Sequence, residues 1–142
     1  MDGVLHISKI KPMFTSILTT GTVYENDVTE NGIIVFKKGD LKLYQEVVAV
    51  GSSVRDIKVG DKIVFDPSPY LVRKYNPNSI QNDLDNNNKI IKTNFPWVQV
   101  DDENGKPQNM LLLNDRDVRF VYEGEEKVES IVVPEKPIII IK

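Results

Sequence analysis

The chain has 142 residues, enough for one domain with its own core, and its 40% apolar and 27% charged residues match an ordinary globular protein. Eighteen basic against 21 acidic residues leave a net charge of −3, and the sparse aromatics are not interleaved with a basic patch. That excludes the usual nucleic-acid surface and gives no field toward anionic membranes. With no cysteine, disulfides and thiolate metal sites are excluded, and a reducing cytoplasm is permitted.

Met1–Lys11 is a mixed lead-in without the apolar core of a signal peptide, and no apolar run approaches the roughly 18 residues of a membrane helix. Pro12 opens MFTSILTTGTVYE, where Phe14, Ile17, Leu18 and Val23 mix with threonines in a strand-type composition. Gly21 marks a bulge there. Asn26–Gly32 is polar and turn-forming, and Ile33–Phe36 (IIVF) follows before the basic KKGDLK. A short apolar run between polar flanks has two readings: a buried strand, or an apolar peptide displayed on a mobile loop.

The centre of the chain is Gln45–Asp66, QEVVAVGSSVRDIKVGDKIVFD. Val47–Val50 and Ile63–Phe65 are β-branched runs around Gly51, a polar link and the turn Val59-Gly60-Asp61, which predicts a hairpin or a barrel corner. Gly51 and Gly60 stand where the chain needs positive φ or close backbone approach. Asp66-Pro67-Ser68-Pro69 then breaks the strand, because proline cannot donate to a ladder.

Tyr70–Lys74 is a further candidate strand, and residues 76–88 form a long asparagine-rich loop or insertion. Lys89–Thr93 and Trp97–Val100 are brief strands separated by Phe95-Pro96. Asp101–Pro107 carries Asn104-Gly105, a strong hairpin signal. Met110–Leu113 and Val118–Tyr122 follow, with Val118, Phe120 and Tyr122 alternating so as to share one apolar face. Gly124–Lys127 turns, and Val128–Val133 and Ile138–Ile141 are two last β-rich runs around Pro134 and Pro137. No helical stripe survives three turns. The fold class is all-β, a sandwich or small barrel.

Catalytic chemistry is not indicated. His6 is the single histidine, stands near a terminus and reads as solvated. The serines lack a nucleophile context. Asp101, Asp102 and Glu103 beside Asn104-Gly105 read as a solvated turn, and the calcium-loop pattern is not matched. Gly51-Ser52-Ser53 is too poor in glycine to cradle phosphate. Trp97 reads as core or subunit interface. Neither an enzyme activity nor a cofactor or metal is expected.

Taken in order, several of these stretches resemble the GroES-like co-chaperonins. Ile10-Lys11-Pro12-Met13 is similar to that family's opening. Thr29–Val35 resembles its mobile loop, in which Gly32 precedes the apolar tripeptide Ile33, Ile34 and Val35. Glu46–Gly51 and, most specifically, Lys58–Phe65 resemble the strands that follow. Leu111–Leu113 and Asp117–Val121 resemble the final hairpin. The likeness covers roughly Ile10 to Asp66 and resumes near Met110 to Glu123.

Three departures stand beside it. The link Ser52–Lys58 is too short for the family's roof hairpin, residues of about 75–108 are inserted, and Val128–Lys142 is extra. The reduced roof and the wording Val28–Gly32 are closer to phage-encoded co-chaperonins than to bacterial ones.

The resemblance implies a single GroES-like β-barrel domain with a mobile loop over about 26–44 and a C-terminal extension over 125–142. It implies a seven-membered homo-oligomer, in the host cytoplasm if phage-encoded, that caps a GroEL-like chaperonin ring through Gly32, Ile33, Ile34 and Val35. Its ring contacts would pair the first strand (Phe14, Ile17, Leu18) with the last (Val118, Phe120, Tyr122) of a neighbour. The rival reading is a structural β-barrel of a virion or another assembly, with Ile138–Ile141 donated as a strand.

Overall fold

The computed structural model describes residues 2–75 and 89–127, so the asparagine-rich stretch and the two C-terminal β-rich runs lie outside it. Ten strands are present among the described residues: β1 (Ser16–Thr20), β2 (Val28–Glu30), β3 (Ile33–Phe36), β4 (Tyr44–Val50), β5 (Lys62–Phe65), β6 (Leu71–Tyr75), β7 (Lys89–Thr93), β8 (Trp97–Asp101), β9 (Pro107–Asn114) and β10 (Val118–Tyr122). Six form one antiparallel sheet in the order β10-β5-β4-β1-β9-β8, while β2-β3 and β6-β7 are separate two-stranded sheets. The all-β class is as expected. β8 and β10 are the edges of the main sheet, and no ladder joins them into a closed barrel among the described residues.

The core lies where the central strands turn the same face inward. Ile17 (β1), Val47 (β4), Ile63 and Phe65 (β5), and Leu111 and Leu113 (β9) are at most 2% exposed and form one cluster. Burying such a side chain contributes about 1.5–3 kcal/mol, so this cluster is the main source of stability. Phe95 closes it from the side with its ring edge-on to Phe65 at 6.2 Å. Phe95–Asp101, within the stretch expected as an insertion, is therefore part of the main packing unit, with β8 paired along β9 from Trp97↔Leu111 to Asp101↔Pro107.

The central pair forms as expected, with Tyr44↔Val64, Gln45↔Ile63 and Glu46↔Lys62 in register. Its two glycines do different work. Gly60 has φ +94, open to glycine at no steric cost. Gly51 has Phe14 O only 2.3 Å from where a Cβ would stand, so it permits close backbone approach instead.

Gly21 is also a close-approach residue, facing the Trp97 ring at 2.6 Å from its would-be Cβ, and the bulge expected there lies elsewhere. Leu18↔Ala49 and Thr19↔Val47 leave Val48 as the extra residue on β4.

A second bulge corrects the expected apolar face of β10. Val118 pairs with Phe65, but Phe120 pairs with Val64, so Arg119 is the unmatched residue. A one-residue bulge reverses the alternation. Val118 consequently packs toward the core with Phe65, while Phe120 and Tyr122 turn to the opposite face. Single-strand periodicity contains no signal for this, because the bulge is a property of the pair.

No helix among the described residues is long and apolar enough to cross a membrane.

Candidate functional site

The β2–β3 hairpin stands off the main sheet, and its local sequence accounts for it. Asn31 (φ 56) and Gly32 (φ 80) are the two loop residues between Glu30 and Ile33, which pair with each other. Positive φ at both central positions is the requirement of a type I′ turn, whose twist matches the flanking strands. Thr29↔Ile34 follows, and then Val28↔Phe36, so Val35 is bulged out of register. Ile33 is 69% exposed, Ile34 49% and Val35 46%. The run Ile33–Phe36 is thus a strand, but not a buried one. Its apolar tripeptide lies at the outer end of an arm.

Backbone bonds build the stem below. Tyr24 N–H donates to Asp40 O at 2.9 Å, Gly39 N–H to Tyr24 O at 2.7 Å and Lys42 N–H to Thr22 O at 3.1 Å, around the bridge Val23↔Leu41. Asp40 closes the returning turn by accepting from Lys37 N–H at 2.9 Å, and Asp27 accepts from Lys38 N–H at 2.8 Å. Phe36 stacks on Tyr24 with 4.7 Å between ring centroids. Lys42 Nζ lies over the rings of Tyr24 and Tyr44, at 5.3 and 5.7 Å, and pairs with Glu126 at 3.0 Å. The Tyr24 hydroxyl is pushed above its usual range by burial first, then by the carboxylates of Glu126 and Asp40.

The stem is clamped to the sheet by Gln45, which is 4% exposed. Its Oε1 accepts from Thr20 Oγ1, Thr22 Oγ1 and Thr22 N–H at 2.8–3.0 Å. Its Nε2 donates to Thr22 O and Lys42 O at 3.0 and 2.7 Å. Both strands of the stem are thereby fixed at their root by one amide. A buried amide with every bond made costs little, whereas an orphaned one is expensive.

The expected ring-contact residues separate into two groups. Ile17 (0% exposed) and Leu18 (3%) are interior, and β1 has β4 and β9 on its two sides, so it has no free edge for a neighbour. Those two residues are not surface contacts. Val118 is half-buried against the core and Tyr122 is half-buried, while Phe14 and Phe120 are exposed at 67% and 54%. Phe14 has φ 55, unusual for an aromatic residue, and its carbonyl accepts from Ser53 N–H at 2.9 Å beside Gly51.

The remaining sequence candidates fall outside this region. His6 is exposed, with Nδ1 3.4 Å from Asp101. Asp102 caps the β8–β9 turn, accepting from Asn104 and Lys106 N–H at 2.8 and 2.9 Å. Trp97 is half-exposed against Gly21. Asp117, 6% exposed, accepts from the Tyr70 hydroxyl and from Asn114 N–H, and Tyr70 is raised by burial and then by that carboxylate. These polar contacts tie loops to strands.

Tyr24, Lys42 and Gln45 were not among the sequence candidates. The Asn31-Gly32 step between β-branched runs does carry a hairpin signal. Gln45 carries none, since an amide between apolar residues looks like any solvent-facing position.

The fold and this arm define an all-β protein that displays an apolar peptide on a two-stranded hairpin rooted in its main sheet. No family model matches the sequence, and no curated protein matches it.

Proposed function

We propose that this protein is a co-chaperonin that caps a GroEL-like chaperonin ring and assists folding inside it. The observation that carries this reading is the exposure of Ile33, Ile34 and Val35 together at the end of the β2–β3 arm. Side chains of this size left in water are a standing gain for any partner with an apolar groove: about 1.5–3 kcal/mol each, and about 5–9 for three before ordering costs. One arm binds weakly. Seven arms on one ring bind together through effective concentration and release together when the chaperonin changes state.

In this reading the subunits form a homo-heptamer by a head-to-tail contact that closes by rotation. With β1 enclosed, the contact falls to the Phe14 region of one subunit and the outer edge of β10 of the next, an edge with no strand beside it among the described residues. ATP hydrolysis belongs to the chaperonin. In this reading the protein works in the cytoplasm, that of a bacterial host if the chain is phage-encoded.

The test is native mass together with ATP-dependent chaperonin binding, for the wild type and Ile34→Asp. A ring near seven subunits, with binding lost in the variant and the ring intact, is the expected result. A wild-type protein that ignores chaperonin overturns the reading and leaves a β-sheet assembly protein.

A further inference from the structure

Tyr24 is where the arm meets the rest of the protein. Its ring carries Phe36, the last residue of β3, at 4.7 Å, and the ammonium of Lys42 at 5.3 Å. Lys42 is also 5.7 Å from the Tyr44 ring, so one cation serves an aromatic residue of the stem and one of β4. Its backbone is fixed from both sides: its N–H donates to Thr22 O at 3.1 Å, and its carbonyl accepts from Gln45 Nε2 at 2.7 Å. The side chain alone is left to lie on these rings or to extend into water.

The carboxylate that faces it comes from the far end of the described chain. After β10 the backbone passes β5, where Lys62 Nζ donates to Gly124 O at 3.3 Å, and brings Glu126 to β4. The Glu126 carboxylate accepts from Lys42 Nζ at 3.0 Å and from the Tyr44 hydroxyl. Glu126 stands 84 positions from Lys42, so the contact exists only in the folded sheet. The Lys42 side chain is 19% exposed and that of Glu126 48%. A pair so placed contributes little to global stability, yet little is needed to hold a side chain whose main chain is already fixed.

We propose that Glu126 is a positioning residue for the arm, acting through Lys42, Tyr24 and Phe36 on Ile33–Val35. With the carboxylate in place, the cation stays over Tyr24, and that ring keeps its stack with Phe36 at the base of β3. With it withdrawn, Lys42 turns to water, and the two-stranded arm loses part of the order that an isolated hairpin lacks. The exit of the chain from β10 thereby sets how ordered the tripeptide is before any partner arrives, and so the ordering cost of binding. The inference concerns the free arm and is tested without a partner. It stands or falls apart from the co-chaperonin reading.

Amide exchange of the whole chain is the test. Glu126→Gln keeps an acceptor for the Tyr44 hydroxyl but removes the charge, and should speed exchange at Ile33–Val35 by about two- to fivefold. Exchange in β1 and β9 should not change, as it would if the pair served global stability alone. Lys42→Met, which keeps most of the alkyl chain, should act at least as strongly, and adding Glu126→Gln to it should change nothing further. Lys42→Arg should stay within about twofold of the wild type, because it keeps the charge and the ring contact. Raising salt from about 0.05 M to about 1 M should bring the wild-type arm toward the Glu126→Gln rate and leave the Lys42→Met rate unmoved. An arm unaffected by Glu126→Gln, acceleration shared equally with β1 and β9, or a Glu126→Gln effect that persists in Lys42→Met would each overturn the assignment.

Discussion

Phe36, one residue beyond the exposed tripeptide, stacks its ring on Tyr24 at 4.7 Å and an interplanar angle of 14°. The two residues belong to opposite strands of the arm's stem. An isolated two-stranded hairpin is marginal in water, so this contact is a main source of order in the arm. Such an aromatic pair contributes about 0.5–1.5 kcal/mol beyond the area it buries. Phe36→Ala should therefore speed amide exchange at Ile33–Val35 by roughly two- to tenfold, while exchange in β1 and β9 stays unchanged. Equal acceleration in β1 would show that the arm and the sheet open as one unit.

Gln45 answers to a different readout. Its five bonds tie Thr20, Thr22 and Lys42 together at the root of the arm. Gln45→Leu leaves the Thr22 and Lys42 backbone groups without this partner, at about 1–3 kcal/mol for a buried polar group. Chemical denaturation should show a lower midpoint with an unchanged slope. A midpoint within error of the wild type would mean that water replaces the amide.

The glycines should rank by mechanism. Gly51→Ala puts a methyl group 2.3 Å from Phe14 O, a backbone atom that cannot swing aside, and should cost about 3 kcal/mol or more. Gly60→Ala meets no atom within 4 Å and suffers only its positive φ, about 1–2 kcal/mol. Thermal melts of the two variants test that order directly.

Two ionisable groups give stability opposite pH dependences. Tyr70 is raised above the ordinary tyrosine value near 10 by burial and then by Asp117. Its contribution is complete below that value and is lost as pH rises through the folded-state value. Asp66 is held below its usual range chiefly by the backbone N–H of Ser68, and further by Arg119. Its contribution is present above the unfolded value near 4 and is lost as pH falls. Unfolding midpoints of Tyr70→Phe should flatten above about pH 10, and those of Asp66→Asn below about pH 4.

Ile34→Asp should leave stability within about 0.5 kcal/mol, because the side chain is half-exposed on an arm outside the core. A large loss of stability would show that Ile34 packs against part of the protein and is not simply displayed.

Alternation of β-branched residues, the proline breaks and the glycine turns were enough to place most of the strands, since each is a local property of the chain. Asn31-Gly32 sets its turn with positive φ at both residues, and Gly105 sets the β8–β9 turn with positive φ at the glycine alone. What the sequence could not determine depends on pairs of strands. Ile17 and Leu18 read as available for contact, yet β1 is enclosed between β4 and β9. Val118 and Phe120 read as one face, yet the bulge at Arg119 sends one inward and the other out. Gln45 reads as an ordinary polar residue until Thr22 and Lys42 are brought to it from both sides. Which face is buried is decided by register, and register forms only when distant segments meet.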